Sequence, residues 1–393
     1  SELAIGFGDT ALVADRETDK VLLLCVSGSY GYADGGTPSA SSMLSTDGGK
    51  NFGAPQEIHG QIYSQISGLT DFFFASGRIM QSRYIKEGSS YRIYSAILGK
   101  GNGISGNCNY VFYSDDFGTN WKLLGNGPAI TGADEAKIEE LPNGNVIITS
   151  RRGAGRTVNV FTYDETDDTY ATGTWDTQQV VSYGAGNSTN GELYITYVKN
   201  KETEEYGYLA LQSLPTINNG SRVGVSIFYK ELGEADVNSA GYVANWNIGE
   251  NRYLVQEHVS AYSTMTLQAD GKIGFLWEER DNQYDILYDG IAIEEITNDK
   301  YEFAFTSGIG SVATPYVVST REQLVAVVDV FNKEGVYWDF SGEAENGLQG
   351  LLEERKQQAQ TLYDEGGLAD TRVEAVALKS SLDAANALEA DAE

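Results

Sequence analysis

The sequence predicts an all-β protein of short antiparallel strands, built as a β-propeller or a sandwich, with an α-helical hairpin at its C-terminal end. Glycine is abundant at 45 residues and proline scarce at 6, as expected where many short strands meet at tight turns. Strand-length apolar runs recur in pairs around turn residues. After about Gly342 the composition turns to helix formers.

Bulk properties bound the rest. The 393 residues, 41% of them hydrophobic, suffice for one large β domain and an appendage. Formal charge is 27 − 56 = −29. Such a surface repels nucleic acid and anionic membranes. An anionic ligand would need arginines to reverse the field locally. Cys25 and Cys108 are too few for a disulfide scaffold or a zinc site, and either pair or remain buried thiols. His59 and His258 are too far apart for an HxxxH-type metal motif, and no metal or cofactor is expected. No apolar run is long enough to span a membrane. The chain opens at Ser1, just ahead of a strand-like stretch and without an initiator Met, which suggests a native N-terminus further upstream.

Taken in order, "DTALVADRETDKVLLLCV" holds two strands around Glu17-Thr18-Asp19. "KIEELPNGNVIITSR" is a hairpin turning at Pro142-Asn143-Gly144, and "LQADGKIGFLW" repeats the pattern at Asp270-Gly271. A shorter repeat favours the propeller. "STDGGKNF" (Ser45 to Phe52) and "SDDFGTNW" (Ser114 to Trp121) both read S-x-D-x-G-x-x-aromatic. Ser and Asp should bond local amides, Gly should take a positive φ, and the aromatic should fold back over the turn. Turns this self-satisfied belong on an outer rim. Between 302 and 341, "VATPYVVST" and "QLVAVVDVF" read as further strands of unassigned place, so the β domain is drawn over 1–341. "GLQGLLEERKQQAQTLYDE" and "LADTRVEAVALKSSLDAANALEADAE", broken at Gly366-Gly367, read as a helical hairpin over 342–393.

The hairpin around Pro142 brings Glu135, at the start of its first strand, back beside Arg151, at the end of its second. Alternation sends the neighbouring Arg152 to the other face. Arg222 opens a strand in "NNGSRVGVSIFYK"; Tyr262 lies in "SAYSTMTL" and Glu278 follows "KIGFLW". Two arginines, two glutamates and a tyrosine thus fall at strand ends that one end of a propeller would share. Tyr262 by itself reads as packing, a sugar platform or a nucleophile.

Here the sequence resembles the bacterial exo-sialidases (neuraminidases), over roughly residues 5–297. The two Asp-box repeats, E-x-x-I-x-E-L-P-N-G…S-R and A-Y-S-T-x-T-x-x-x-D-G-x-I-G-x-L-x-E carry the resemblance. It implies a six-bladed propeller, secreted, periplasmic or cell-surface, that releases terminal sialic acids from glycans or glycoproteins by a retaining mechanism. It implies Tyr262 as nucleophile, Glu135 as its base partner, Arg151 and Arg222 as holders of the sugar carboxylate, Asp9 of Gly8-Asp9-Thr10 facing the substrate, and Glu278 orienting a carboxylate-binding arginine, with Glu279 as its competitor. The chemistry is coherent: a neutral phenol avoids the repulsion a carboxylate nucleophile would meet beside the sugar's own carboxylate, and arginine forks hold a planar carboxylate bidentately. The family's R-I-P arginine and following acid aspartate precede the Gly8-Asp9-Thr10 strand in family order. No R-I-P occurs here and Asp34 comes too late, so the first blade reads as incomplete, to be completed by an upstream fragment or an accessory domain. The alternatives are a non-catalytic sialic-acid-binding propeller and a structural propeller that assembles through its helical tail.

Overall fold

A computed structural model of the chain describes residues 6–28, 38–152, 155–167, 169–181, 189–218, 222–246, 251–280, 284–331 and 335–340. The expected helical hairpin, 342–393, lies outside the described residues. The chain divides into two compact units: the described residues through Pro315 with 335–337, and the described residues 316–331 with 338–340.

The first unit is an all-β propeller, with five blades among the described residues. The first sheet runs antiparallel through Gly6–Ala14, Val21–Gly28, Ser39–Ser45 and Gln56–Glu57, with Gly77–Arg78 parallel to its first strand. The second is built on Leu69–Phe74, Met80–Glu87, Ser90–Gly101 and Cys108–Ser114. The third contains Ala136–Glu140, Val146–Arg151 and Arg156–Tyr163; the fourth Leu193–Asn200, Tyr206–Asn218 and Arg222–Leu232. The fifth has three strands, Ser260–Leu267, Ile273–Arg280 and Tyr284–Ile291.

The blades stack through their apolar faces. Leu24 of the first sheet shares a core with Phe72, Ile93 and Phe112 of the second. Tyr94 and Val111 of the second share another with Ile138, Ile148 and Phe161 of the third. At roughly 25 cal/mol per Å² of apolar area removed from water, these faces are the main favourable term holding neighbouring sheets together. Cys25 and Cys108 are both buried free thiols, which decides between the two readings of that pair.

The two S-x-D-x-G-x-x-aromatic turns have the same internal wiring, one leading from Ser39–Ser45 towards Gln56–Glu57 in the first sheet, the other from Cys108–Ser114 to Lys122–Leu123 in the second. Ser45 Oγ donates to Asp47 Oδ1 at 2.8 Å and accepts the Gly49 N–H at 2.9 Å; Asp47 accepts from Asn51 N and Nδ2 at 2.9 and 2.7 Å. Ser114, Asp116, Gly118 and Asn120 repeat these bonds at 2.5–2.8 Å. Gly49 and Gly118 take φ of 81° and 91°, a region only glycine enters cheaply. Trp121 folds back, buried, and its Nε1 donates to the Gly118 carbonyl, whereas Phe52 stays 38% exposed.

In the second unit, Tyr316–Val317 pairs in parallel with Trp338–Asp339. "QLVAVVDVF", expected as a strand, lies largely in an α-helix, Arg321–Asp329. Its local start signal outweighs its β-branched content. Thr320 Oγ1 accepts from Gln323 N, and Gln323 Oε1 accepts from Ser319 N and Thr320 N, closing a capping box. Leu324 and Val327, three apart, are then buried on one face.

Candidate active site

The third sheet delivers the first two side chains. Gly144 turns the Pro142-Asn143-Gly144 hairpin at φ 85°, and the register then pairs Ala136 with Ser150. Glu135 and Arg151 stand directly opposite, the Arg151 N–H donating to the Glu135 carbonyl at 2.8 Å. Their side chains meet as well: Arg151 Nη1 lies 2.9 Å from Glu135 Oε2, and Arg151 Nε 3.3 Å from Asp134 Oδ2. Arg152 is exposed.

The fifth sheet delivers Tyr262. Ser260 pairs with Glu279 and Ser263 with Trp277, so the Tyr262 strand carries one residue more than its partner. This β-bulge turns Tyr262 out of the regular alternation and releases its N–H from the ladder. Glu278 Oε2 accepts that N–H at 3.2 Å. Glu279, the competing glutamate, is engaged 3.0 Å from His258 Nδ1. The contact described for Glu278 is thus to the backbone of the tyrosine, where an arginine partner was expected.

The two sheets converge on one oxygen. Tyr262 Oη donates to Glu135 Oε1 at 2.6 Å, and Arg151 Nη1 lies 3.4 Å from the same phenol. Arg222, opening its strand in the fourth sheet, sets its guanidinium carbon 5.4 Å from the centre of the Tyr262 ring, within cation–π range. Glu135 is 6% exposed; Tyr262 and Arg151 are half-buried. Burial, then the Glu135 hydrogen bond and charge, push the Tyr262 phenol well above its ordinary range, against Arg151 and Arg222. At rest the oxygen is a neutral phenol bonded to an acceptor.

Asp9 also sits on a β-bulge. Gly8 pairs with Val26 and Ala11 with Leu24, leaving one extra residue in the first strand. Asp9 takes φ 51°, a left-handed conformation that aspartate adopts more readily than most residues. The residue is accessible, but burial of its carboxyl and then the charge of Glu135 raise its pKa, so the two carboxyls lie within electrostatic reach of one another.

The structure therefore brings Glu135, Arg151, Arg222 and Tyr262 to one place, with Asp9 near Glu135 and Glu278 behind Tyr262. Sequence reading missed Asp134, which pairs with Arg151, and the buried charges below Glu135. Their signal was present: "EAKIEE" sets charges at every second position of a strand whose other positions include Ala136 and Ile138. No group of three or more metal-binding side chains occurs among the described residues.

No protein-family model matches the chain, and no curated protein matches it either. Solved structures do. The intramolecular trans-sialidase of Ruminococcus gnavus, in complex with oseltamivir carboxylate, superposes at TM-score 0.55 and 15% identity over 76% of this chain and 80% of that one. A leech intramolecular trans-sialidase gives 0.54 and 15%, over 75% of this chain and 57% of that one. Trypanosoma rangeli sialidase gives 0.52 and 16%, over 76% and 47%. The chain thus spans only about half the length of the last two. At such identities the likeness is one of fold, and the fold of the first unit is that of a sialidase-like propeller.

Proposed function

We propose that the protein is a retaining exo-α-sialidase that hydrolyses terminal sialic acids of glycans or glycoproteins. The observation carrying this is the 2.6 Å hydrogen bond from Tyr262 to Glu135, with Arg151 and Arg222 beside it. In this scheme Arg151 and Arg222 hold the sugar carboxylate. Tyr262 Oη attacks the anomeric carbon as its proton passes to Glu135, and the bond to the leaving oxygen breaks. Water then attacks the anomeric carbon from the face the leaving group vacated, its proton passing to the group that protonated the leaving oxygen, while the tyrosyl–sugar bond breaks and the phenol oxygen takes back the proton held by Glu135. Asp9 contacts the substrate, and Glu278 fixes the Tyr262 backbone.

The leaving oxygen needs a proton donor, and the carboxylate a third arginine. In this proposal both come from an additional blade, an upstream fragment or an accessory domain. The two sheets that end the series support it. Leu12 on the first and Leu276, Ile286 and Tyr288 on the fifth are 41%, 38%, 60% and 58% exposed, large apolar groups that a covering sheet would bury. The protein would be secreted, periplasmic or cell-surface. A second reading is a sialic-acid-binding propeller without turnover, in which the same arginines hold the sugar carboxylate and no bond is broken.

A fluorogenic α-sialoside assay on the longest natural form, with Tyr262→Phe beside it, separates the readings. Turnover that Tyr262→Phe abolishes, with a sialyl adduct on Tyr262 by mass spectrometry, supports the enzyme. Binding that depends on Arg151 and Arg222 without product supports the lectin. Equal turnover in both proteins ends the Tyr262 assignment.

A further inference from the structure

The charged column beneath Glu135 has no role in that scheme. Side chains two apart on a strand share a face, so Lys137 and Glu139 follow Glu135 inward. Lys137 is 2% exposed. Its Nζ donates to the Ser76 carbonyl and lies 3.9 Å from Glu192 Oε2. Glu192 is 1% exposed, and this same oxygen accepts a 2.8 Å hydrogen bond from Thr264 Oγ1, two residues beyond Tyr262. Asn190 Oδ1 accepts the Ser263 N–H at 3.3 Å, while Asn190 Nδ2 lies 3.4 Å from the Ser76 carbonyl. One buried ammonium thus connects the strand that follows Glu135 to the strand that carries Tyr262. The packing is close: a Cβ added to Gly77 would collide with Lys137 Nζ and fall 3.3 Å from Thr264 Oγ1 and 3.5 Å from Glu192 Oε2.

We propose that Lys137 is a positioning residue for the Tyr262–Glu135 pair, acting through Glu192 and Thr264; the proposal rests on the sialidase reading above. A buried ion pair is a poor way to gain stability, because desolvation of both charges offsets most of their attraction. Apolar side chains would fill this space at no such cost. What the ion pair supplies is a fixed geometry between two strands whose side chains must meet within hydrogen-bond reach. The charged groups around Lys137 are Glu135 and Glu139 on its own strand, Arg78, Glu192, and Arg156 in the same sheet. Burial lowers the Lys137 pKa, opposed by Glu192 and Glu135 and aided by Arg78 and Arg156.

The test uses the full chain, in its longest natural form, with two variants and two readouts. Lys137→Met removes the charge at similar volume. Thr264→Val cuts the last link while keeping shape and charge. With a fluorogenic sialoside, kcat should fall on the order of 10–100-fold in Lys137→Met and several-fold in Thr264→Val, since a small misplacement of reacting groups has effects of this size. KM should stay within about threefold of the parent, because Arg151 and Arg222 are untouched. The second readout needs no turnover: 3-fluorotyrosine at position 262, whose 19F resonance should shift or broaden in both variants. Parent-like kcat with an unchanged resonance would overturn the proposal, as would a rise in KM alone. If Lys137→Met does not fold, Thr264→Val decides by the same criteria. If the parent turns over no sialoside, the functional reading fails, and the 19F comparison still decides whether Lys137 positions Tyr262.

Discussion

Replacing Tyr262 by phenylalanine removes one oxygen and leaves the ring in its bulge. The expected loss is about 10³-fold or more in kcat with the fold intact, checked by sialoside kinetics beside a thermal melt. Glu135→Gln keeps an acceptor for Arg151 but no longer takes the phenol proton. It should cost about 10²–10⁴-fold, chiefly in kcat. Glu278 acts on the backbone, so its substitutions should separate differently. Glu278→Ala leaves the Tyr262 N–H without its acceptor and should lower stability by about 1 kcal/mol, whereas Glu278→Gln, which retains a carbonyl oxygen, should lose much less by denaturant titration. Tyr262, Glu135 and Arg151 were legible in the sequence because a hairpin returns its ends to one edge and because the surrounding motif is distinctive. The partner of Glu278 was not, since a bulge frees an N–H only once the register of two strands is known. Lys137 and Glu192 were not either: they meet across sheets from positions 55 residues apart, and only the strand-spaced charges of "EAKIEE" hinted at it.

Among the secondary-structure elements, irregularity falls at two of the positions proposed for the site. Both Asp9 and Tyr262 stand on bulges, each with one extra residue that re-aims a side chain. The turn motifs do the opposite, closing on themselves through their own hydrogen bonds. Asp47 illustrates the sign of their pH dependence. Hydrogen bonds from Asn51 and Ser45 pull its carboxyl down to about 2, below the value near 3.9 expected in the unfolded chain. Its contribution is therefore complete above the unfolded value and is lost as pH falls through about 2. Asp47→Ala should flatten the acid limb of a stability–pH curve between about pH 4 and pH 2 and leave it parallel to the parent near neutrality. The hairpins at Pro142 and Asp270 were readable because their turn residues state the geometry. The Arg321–Asp329 helix was misread because its run of valines has strand character, and its capping box outweighs that preference.

Across the whole molecule, the alternation of strand pairs and turns made an all-β architecture readable, and the repeated turns pointed to a propeller. The exposed apolar groups of the first and fifth sheets were not readable, because exposure of a side chain depends on what packs beside it. Changing Leu276, Ile286 and Tyr288 together to serine should reduce self-association by light scattering with little change in melting temperature, as these groups now face water. Partial association in the parent that salt does not reverse would fit apolar contacts, since screening should if anything help chains of charge −29 approach one another.

The two thiols offer a use beyond packing. Cys25 lies in the first sheet and Cys108 in the second, at 0% and 2% exposure, with no covalent tie between them. Each can be alkylated only when its own sheet opens, so the two labelling rates time the unfastening of adjacent blades separately. A protein whose blades come away in succession would show two clocks, and a protein that opens all at once would show a single rate.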